Sequence, residues 1–596
     1  MKRLCALALL SMVITVAARK PNVIVIFTDD HGYSDLSSQG VFEDVRTPNI
    51  DALARGGVRM TSGYVTAPQC VPSRAGLMSG RYQNRFGVES NGTSLDGFNR
   101  QRTIAERLKA AGYATGMTGK WHLGPAPEIG SHGFDDVYYK NANRPGWANF
   151  DLNGKDVEPG PEHSKLYHLD ANSAAASAFI DRHHDEPFFF YCAYRAPHVP
   201  LDAPKKYLDR FPGKMPERRR QALAMLSAVD DGVGRIMATL RRHKLEEQTL
   251  IFFIGDNGAP LKIHKLDAPG GGPGWDGSLN DPMNGEKGML SEGGIRVPFV
   301  VYWKDRIPGG QVYHAPVISL DAAATAVALA GLPTDPELDG VNLIPFLTGE
   351  KKGLPHETLF WRWIAQAAVR EGRWKYLRGG VREYLFDLES DPEEKKNLIA
   401  QQAEMAQRLA GKLSGWAARL QPAGLEMKSM SQTWVDYFDF YLDGKPAPPA
   451  HGRTSSEDKG DSASAKGWIA RNAGLKVTRQ GLVVIPAAKN RRQRPFLVMS
   501  QLALVGPISA TVRLKTSTNG SVGIAWREEG QKDFAAGQSA GAKVDATGDW
   551  RDIEIGLTPK AKVIHLRLHL PDGESIVESV KLRAANERKE WRFTTK

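Results

Sequence analysis

Two pairs of oxygen-bearing side chains each follow a short apolar run in this chain, and together they could bind a hard cation. Asp29 and Asp30 come after the run NVIVIFT, and Asp256 and Asn257 come after TLIFFIG. Such runs are typical of strands buried on both faces of a parallel sheet, whose carboxyl ends carry ligand sites. Carboxylate and amide oxygens suit Ca²⁺ or Mg²⁺ better than zinc. Either pair alone is equally typical of a turn or a helix cap, so the four side chains are a candidate metal site.

Cationic and imidazole side chains occur in three further motifs that could act on an anionic ester. Lys120 and His122 lie in GKWHLG, His198 lies in APHVP, and Lys287 opens KGMLSEGGIRVP. Hydrolysis of such an ester needs a nucleophile, fixed positive charge for the oxyanions, and an acid that protonates the leaving oxygen. The lysines are candidates for the charge, and the histidines are candidates for proton transfer.

The candidate nucleophile lies at residues 70–74, which read CVPSR. This run resembles the signature of the type I sulfatases, and GKWHLG at residues 119–124 and RTPNIDALA at residues 46–54 resemble two further motifs of that family. In the type I sulfatases a maturation enzyme reads C-x-P-x-R and oxidises the Cys to formylglycine, whose hydrated aldehyde is the nucleophile. The resemblance therefore implies that Cys70 is modified. Ser79 replaces the Thr that is commoner in the family, but it keeps the hydroxyl.

The resemblance also implies a two-step cycle and one Ca²⁺ ion. One hydroxyl of the hydrated aldehyde attacks sulfur; the other then loses its proton, sulfate is expelled and the aldehyde is restored. By this resemblance, five residues bind the metal: Asp29, Asp30, the formylglycine at Cys70, Asp256 and Asn257. Arg74 holds the formylglycine, and His122 hydrogen-bonds one of its hydroxyls. Lys120 and Lys287 bind sulfate, and His198 protonates the leaving alcohol.

A loop that is rich in Gly and Pro separates the second pair of metal ligands from Lys287. It covers residues 261–286. Binding residues are often found on such loops, so its polar and aromatic side chains are candidates to contact the substrate: His264, Lys265, Trp275 and Asp276.

The resemblance covers about residues 21–420 and implies an α/β, alkaline-phosphatase-like sandwich with a mixed, mostly parallel sheet. The alternation of apolar runs with helical patterns agrees with that class. Further along, short runs at 358–363, 367–370, 374–378 and 384–388, followed by a helical pattern at 401–420, predict a small antiparallel subdomain. The predicted divisions are a signal peptide at 1–18, a catalytic domain at 19–354, a C-terminal subdomain with a helical and aromatic extension at 355–444, a linker at 445–465 and a basic β-sandwich module at 466–596.

Composition and the first residues favour an exported, water-soluble enzyme. The chain has 596 residues, of which 41% are hydrophobic and 24% charged, as in soluble globular proteins. Residues 1–18 combine two basic residues, an apolar run and two alanines, which is typical of a secretory signal. A membrane anchor is the alternative, but the run is shorter than the ~20 residues that a spanning helix needs. We therefore expect a periplasmic or extracellular protein without a membrane span.

The net charge of +11 is concentrated in the last part of the chain. Residues 466–596 contain 23 Lys and Arg against 12 Asp and Glu. Strand-like runs at 481–485, 507–514, 521–526, 550–557 and 563–570 predict a β-sandwich or jelly roll there, which resembles carbohydrate-binding modules. A basic module on an exported protein suits an acidic partner such as a sulfated polymer; a solvated basic surface is the alternative.

These observations together favour an exported sulfatase that acts on a sulfated polysaccharide or oligosaccharide. Its expected partners are that glycan and a formylglycine-generating or sulfatase-maturating enzyme, with no nucleic acid. Two alternatives stay open at this point. One is a phosphonate or phosphate ester hydrolase of the same superfamily, and the other is a catalytically dead protein that binds sulfated glycans.

Overall fold

The protein is described here from a computed structural model. The described residues are 19–138, 151–153, 155–156, 166–261, 275–421, 430, 432–446, 466, 468–471, 473–486, 494–529, 531, 534–535 and 537–594. The chain forms two compact units, Met1–Pro449 and Ala450–Lys596. The predicted signal peptide and residues 447–465 of the predicted linker lie outside the described residues. Within the described ranges, no helix has both the length and the apolar character needed to cross a bilayer.

The first unit contains sixteen described strands. In chain order they are β1 (Asn22–Asp29), β2 (Val58–Met60), β3 (Gly63–Tyr64), β4 (Ala114–Gly119), β5 (Asp136–Tyr138), β6 (Asp151–Leu152), β7 (Lys155–Asp156), β8 (Phe188–Pro197), β9 (Thr249–Gly255), β10 (Phe299–Tyr302), β11 (Gln311–Tyr313), β12 (Val317–Ile318), β13 (Thr358–Trp363), β14 (Gln366–Glu371), β15 (Trp374–Gly379) and β16 (Arg382–Asp387).

An eight-stranded sheet forms the centre of this unit, in the order β11-β2-β10-β9-β1-β8-β4-β5. Within it only β10 runs antiparallel to its neighbours. β1 is paired in parallel with both β8 and β9 and is buried along its whole length. This agrees with the continuous apolar run that predicted a strand covered on both faces.

Twelve α-helices accompany these strands in the described part of the first unit. They are α1 (Pro48–Gly56), α2 (Cys70–Ser79), α3 (Asp96–Asn99), α4 (Ile104–Ala110), α5 (His168–Arg182), α6 (Lys205–Leu208), α7 (Glu217–Arg242), α8 (Glu292–Ile295), α9 (Asp321–Leu329), α10 (Ile344–Leu347), α11 (Ala403–Ala417) and α12 (Gln432–Tyr441); short 3₁₀ helices cover Ser37–Gln39, Gln83–Phe86, Ala126–His132 and Glu246–Gln248.

Alternating side chains of β1 enter two separate hydrophobic cores, one on each face of the sheet. Val23, Val25 and Phe27 belong to the core that also contains α2, α4 and α9. Ile24 and Ile26 belong to the core that contains the apolar sides of α1, α5 and α7. Because successive strand residues point to opposite faces, a fully apolar strand requires such a covering layer on each side. The first unit is therefore a three-layer α/β/α sandwich, and the predicted fold class is confirmed.

A smaller antiparallel sheet packs on the same side as α2. Its strands follow the order β13-β14-β15-β16, and α11 covers them. The aromatic side chains of Trp361 and Trp363 are at most 1% exposed and join the α2-side core. This sheet therefore shares its hydrophobic core with the central sandwich.

The second unit is built from two antiparallel sheets around one core. Its described strands are β17 (Ile469–Arg471), β18 (Ala473–Thr478), β19 (Gly481–Pro486), β20 (Phe496–Leu504), β21 (Ile508–Thr516), β22 (Gly520–Glu528), β23 (Ser539–Val544), β24 (Arg551–Leu557), β25 (Val563–His569), β26 (Ser575–Arg583) and β27 (Arg588–Arg592). One sheet has the order β17-β20-β25-β22-β23; the other has the order β18-β19-β26-β21-β24, with β27 also paired to β26. Leu and Val side chains from both sheets form the core, as in a β-sandwich.

Candidate functional site

The carboxyl ends of four neighbouring strands, in the order β9-β1-β8-β4, form one edge at which the predicted site residues meet. The register pairs Thr28 with Gly255 and Gly119 with Ala193. The residues that follow each strand therefore emerge side by side. Gly119 has a φ of +87°, and a Cβ there would lie 1.9 Å from the Ala193 carbonyl oxygen. Only glycine permits this close approach, which places the next residue, Lys120, at the edge.

Cys70 is the first residue of α2 and is 1% exposed. Its single S–H can donate to Asp29 Oδ1, at 3.4 Å from Sγ, or to Asp30 Oδ1, at 3.9 Å, and Sγ accepts a hydrogen bond from Lys287 Nζ at 3.3 Å. Burial, followed by the charge of Asp256, raises the pKa of the thiol to about 12. The unmodified side chain is therefore a protonated thiol at neutral pH, which is a poor nucleophile.

Two lysines bind the carboxylates at the end of β1. Lys120 Nζ donates to both oxygens of Asp29, at 2.8 and 2.7 Å, and Lys287 Nζ donates to Asp30 Oδ1 at 2.5 Å. Burial opposes ionisation of Asp29, but the nearby cations, Lys120 first, outweigh it and hold the pKa well below its usual range. The same balance, with Lys287 as the strongest cation, lowers the pKa of Asp30. Both carboxylates are therefore anionic at neutral pH.

Arg74 lies one turn into α2 and connects that helix to the strand ends. Its guanidinium, which is fully buried, donates to Asp256 Oδ2 at 2.7 Å, to the Lys120 carbonyl at 3.0 Å and to the Tyr191 hydroxyl at 3.1 Å. These contacts fix the helix whose first residue is Cys70. Arg74 is therefore placed to position residue 70.

The two predicted histidines have different surroundings. His198 is partly exposed, with Nε2 3.6 Å from Asp30 Oδ2 and Nδ1 2.5 Å from the Val199 carbonyl oxygen. His122 has a left-handed φ of +61°, which is uncommon for a residue with a side chain. Burial, followed by the charges of Lys120 and Arg74, lowers the pKa of His122 to about 3. His122 is therefore neutral at physiological pH.

The oxygen-bearing residues fit a hard cation. Asn257 Oδ1 is buried and accepts no hydrogen bond from the part of the chain that the structure describes, while its Nδ2 donates to Asp30 Oδ1 at 2.7 Å. An unsatisfied buried carbonyl is costly unless a ligand completes it. Ligand atoms of four residues lie within 4.8 Å of one another, and they belong to Asp29, Asp30, Cys70 and His198.

Asp256, like Asp29, has both of its carboxylate oxygens bound by the protein. Oδ1 accepts from the Asp30 backbone N–H at 3.0 Å, and Oδ2 accepts from Arg74. Burial, followed by the Asp29 charge, raises the pKa of Asp256 to about 6. Each carboxylate oxygen has a second lone pair, and a divalent cation would relieve the crowding of negative charge.

Arg195 is a site residue that the sequence motifs did not indicate. It lies on β8 between Ala193, which pairs with Gly119, and Pro197, which pairs with Asp29. Residues 189, 191 and 193 of this strand enter the α2-side core, so Arg195 lies on the same face of the sheet as α2. Burial lowers its pKa; the Asp29 charge acts against this effect and the Arg74 charge adds to it. The pairing of β8 with β1 and β4 is what places this additional cation at the edge of the sheet.

A buried ion cluster secures the segment that carries Lys287. Lys375 Nζ, on β15, lies 2.8 Å from Glu292 Oε1 and 2.8 Å from Glu394 Oε1, and all three side chains have no exposed surface. The Tyr64 hydroxyl donates to Glu292 Oε2 at 2.6 Å. Because Glu292 follows Lys287 by five residues, the antiparallel sheet anchors the loop that places this lysine beside Cys70.

The loop candidates of residues 261–286 divide into two groups. His264 and Lys265 lie outside the described residues. Trp275 is 6% exposed, and its Nε1 donates a hydrogen bond to the Ser278 carbonyl at 2.9 Å. Asp276 is 3% exposed, and its carboxylate lies 3.7 Å from the Arg218 guanidinium. Both described side chains are thus held within the protein and anchor the loop.

Comparison with known proteins agrees with this arrangement. A family model described as "Sulfatase" matches residues 21–332, and one described as "N-sulphoglucosamine sulphohydrolase, C-terminal" matches residues 285–418. The N-acetylgalactosamine-6-sulfatase of Sus scrofa is 34% identical over 56% of this chain and 67% of that protein. The arylsulfatase A of Homo sapiens is 31% identical over 64% of this chain and 84% of that protein.

A solved structure, "Crystal structure of Ps i-CgsB in complex with k-i-k-neocarrahexaose", is similar with a TM-score of 0.61 and 30% identity, covering 71% of this chain and 97% of that one. The family model covers more than half of the present chain, and it includes the ends of β1, β4, β8 and β9 together with α2. The chain therefore belongs to the sulfatase family of the alkaline-phosphatase-like superfamily and is a sulfuric ester hydrolase.

Proposed function

We propose that this protein is an exported sulfatase that removes sulfate from a sulfated polysaccharide or oligosaccharide. The observation that carries the proposal is the convergence of Cys70, Lys120 and Lys287 on the carboxylates at the end of β1. This arrangement provides a reactive position beside two fixed cations, as attack on a sulfate ester requires. Formylglycine made from Cys70 by a maturation enzyme supplies the nucleophilic hydroxyl.

A bound metal ion would add positive charge beside residue 70. Asp29, Asp30 and Asn257 would hold the cation, together with Asp256 and the residue-70 oxygen, and the oxygen-rich donor set favours Ca²⁺. When bound, this ion supplies positive charge that stabilises the sulfate oxygens. Asn257 Oδ1, which is buried and accepts no hydrogen bond from the described residues, supports this assignment.

The chain's own side chains then have distinct tasks. Lys120 and Lys287 neutralise charge on the sulfate oxygens, and Arg74 keeps residue 70 in position. His198, which is partly exposed at the strand end, protonates the bridging oxygen of the leaving alcohol. His122, which burial keeps neutral, hydrogen-bonds the residue-70 hydroxyl and assists the step that releases sulfate.

The relatives support a carbohydrate substrate. One group bears the name N-acetylgalactosamine-6-sulfatase, and one solved neighbour is in complex with a neocarrahexaose. The leader-like pattern of residues 1–18 supports export to the periplasm or the extracellular space. The test is to measure free sulfate released from defined sulfated oligosaccharides, alongside turnover of a phosphonate monoester. Sulfate release is expected to dominate; faster turnover of the phosphonate would contradict the proposal.

Replacing His198 should affect substrates according to their leaving groups. We expect His198→Ala to slow release of sulfate from a sugar alcohol by about 10²–10⁴-fold, because an alkoxide leaves poorly without a proton donor. A nitrophenyl sulfate should lose less than about tenfold, because nitrophenolate leaves without protonation. Steady-state kinetics on both esters provide the measurement, with the exposed His314→Ala as the control. Equal losses on both esters would contradict the assignment of His198 as the acid.

Arg195 should contribute to binding of the anionic substrate. We expect Arg195→Gln to raise KM for a sulfated oligosaccharide by about tenfold or more, since a charged hydrogen bond contributes about 1.5–3 kcal/mol. The exposed Arg46→Gln is a control with the same charge change. KM and kcat should be measured separately. A KM equal to that of the control variant would show that Arg195 does not contact the substrate.

A further inference from the structure

The first unit contains a cavity of about 510 Å³ beside the small antiparallel sheet. Its described lining includes the segment between β2 and β3, the segment between β11 and β12, and the turn between β14 and β15. None of the described lining residues is one that we assign to the catalytic centre or the metal site. Small-molecule sites have volumes of about 300–1,000 Å³, so this cavity is large enough for a separate ligand.

Arg370, which lines this cavity, is a buried arginine without a carboxylate partner. Six arginines are buried within the described ranges. Five of them form an ion pair with Asp or Glu, and these are Arg74, Arg107, Arg219, Arg296 and Arg362. Arg370 instead donates from Nε to the Gly372 carbonyl at 3.0 Å and from Nη1 to the Tyr64 hydroxyl, and no carboxylate oxygen of the described residues lies within 4.0 Å of its guanidinium. An unpaired buried charge is costly, so an anion bound beside Arg370 would be stabilised.

The carboxylate that is linked to Arg370 through Tyr64 already binds two other cations. The Tyr64 hydroxyl accepts a hydrogen bond from Arg370 and donates one to Glu292 Oε2 at 2.6 Å. Glu292 also contacts Arg296 at 3.2 Å and Lys375 at 2.8 Å. Its single negative charge is thus shared among several cations and neutralises Arg370 only in part.

Three lining residues of the cavity have a hydrogen-bond donor that no described residue uses. Arg370 donates only from Nε and Nη1, and Arg296 donates only from Nε, to the Thr61 carbonyl, and from Nη1, to Glu292. The Nη2 group of each guanidinium is therefore unused. Ser62 is 5% exposed, and its hydroxyl also has no partner in the described part of the chain. Unused donors of this kind favour a ligand that accepts several hydrogen bonds.

The acidic residue at the cavity does little to oppose an anion. Glu389 is the one Asp or Glu in the described lining. Its side chain is 70% exposed and pairs with Arg373 at 2.9 Å. Asp387, the second partner of Arg373, is not part of that lining. Exposure to water and the paired cation both weaken the repulsion that Glu389 exerts on an anion.

We propose that this cavity is a second anion site, separate from the catalytic centre, and that it binds a tetrahedral oxyanion such as sulfate. Arg370 and Arg296 donate to the anion from Nη2, and Ser62 donates from its hydroxyl. Guanidinium groups form strong charge-assisted hydrogen bonds with oxyanions. Sulfate is the product of a sulfuric ester hydrolase, so this enzyme releases a suitable ligand at its own catalytic centre.

The number of sulfate ions bound per chain tests this proposal. The measurement is equilibrium dialysis of the full-length chain against labelled inorganic sulfate, with the ionic strength held constant by NaCl. Arg370→Gln should bind one sulfate fewer per chain than the wild type, because loss of a charge-assisted hydrogen bond weakens binding by about tenfold or more. Sulfate held at the catalytic centre is counted equally in both proteins. An unchanged number in a folded Arg370→Gln variant would overturn the proposal.

A second variant tests the cavity without altering the buried guanidinium. Leu354 lines the cavity and is 45% exposed, so Leu354→Glu should fold and should weaken sulfate binding there by about threefold or more, because it adds negative charge at the wall. Val381→Glu is the control. It adds the same charge at an 88% exposed position between β15 and β16, at the other end of the small sheet, and should change affinity by less than about twofold. Equal sulfate affinities of Leu354→Glu and Val381→Glu would overturn the proposed location.

Competition with unlabelled compounds distinguishes the free ion from a sulfate ester. These experiments use a Cys70→Ala background, so that no ester is hydrolysed. Displacement of the label from the Arg370-dependent site by glucose 6-sulfate would assign the cavity to the sulfate group of an ester. Displacement by excess inorganic sulfate but not by glucose 6-sulfate would assign it to the free ion.

Discussion

Cys70→Ala should abolish turnover of sulfate esters while the protein stays folded. We expect a loss of at least about 10⁴-fold in kcat, because the substitution removes the residue from which the nucleophile is made. Deleting one buried sulfur should lower stability only slightly, since the remaining cavity is small. Initial rates on an aryl sulfate and a thermal unfolding curve together give the measurement.

Cys192 provides a matched control for this experiment. It is also a free, fully buried cysteine, but it lies within β8 in the opposite hydrophobic core. Cys192→Ala should therefore retain turnover at a similar small cost in stability. Retained activity in Cys70→Ala, or equal loss in both variants, would contradict a special role for residue 70.

Asn257→Ala should remove much of the bound metal and most of the activity. The substitution deletes a carbonyl oxygen that has no hydrogen-bond donor among the described residues, so we expect metal affinity to fall by at least about tenfold. Metal content after dialysis and the increase in melting temperature on addition of Ca²⁺ are the measurements. Asn172→Ala is the control, because Asn172 is equally buried but accepts from Thr118 at 3.1 Å. Full metal content in Asn257→Ala would show that this oxygen is not a ligand.

Asn257 is a better target than Asp256 for that test. Asp256→Ala should also lower metal content and activity, but it leaves the buried guanidinium of Arg74 without its 2.7 Å partner. Removing one member of a buried ion pair commonly costs about 3–5 kcal/mol. Loss of metal would then be mixed with loss of folding, whereas Asn257 carries no charge.

The sequence predicted much of the site because its residues lie in short local motifs at strand ends. The apolar runs before Asp29 and Asp256 required parallel strands, and parallel strands place their carboxyl ends together. Arg195 was missed although it directly precedes the APHVP motif, because the roles in that motif were assigned to His198 alone. Only the pairing of β8 with β1 and β4 brings it to the edge.

The second unit was less predictable for a related reason. The five strand-like runs predicted there correspond to β19, β21, β22, β24 and β25, but β20 and β26 are also central strands. In β26 the polar residues Ser575, Glu578, Ser579, Lys581 and Arg583 interrupt the apolar residues, so no continuous apolar run marks this strand. Pairing with β19 and β21, which are distant in the chain, determines its structure, and tertiary context of this kind overrides local preference.

The buried cluster of Glu292, Lys375 and Glu394 could not be predicted from the sequence either. Glu292 lies in the motif that Lys287 opens, but no local pattern connects it to a lysine 83 residues later. The cluster forms because β15 and α8 pack together in a shared core. Charged residues are buried in this way only where partners are present.

The mass of the peptide that contains residue 70, measured in an active preparation, tests the central claim most directly. Conversion of a thiol side chain to an aldehyde lowers the mass by about 18 Da relative to Cys. Specific activity on a sulfate ester should rise in proportion to the fraction of peptide that shows this loss, across preparations made with and without a maturation enzyme. A fully active preparation that contains only unmodified Cys70 would contradict the mechanism.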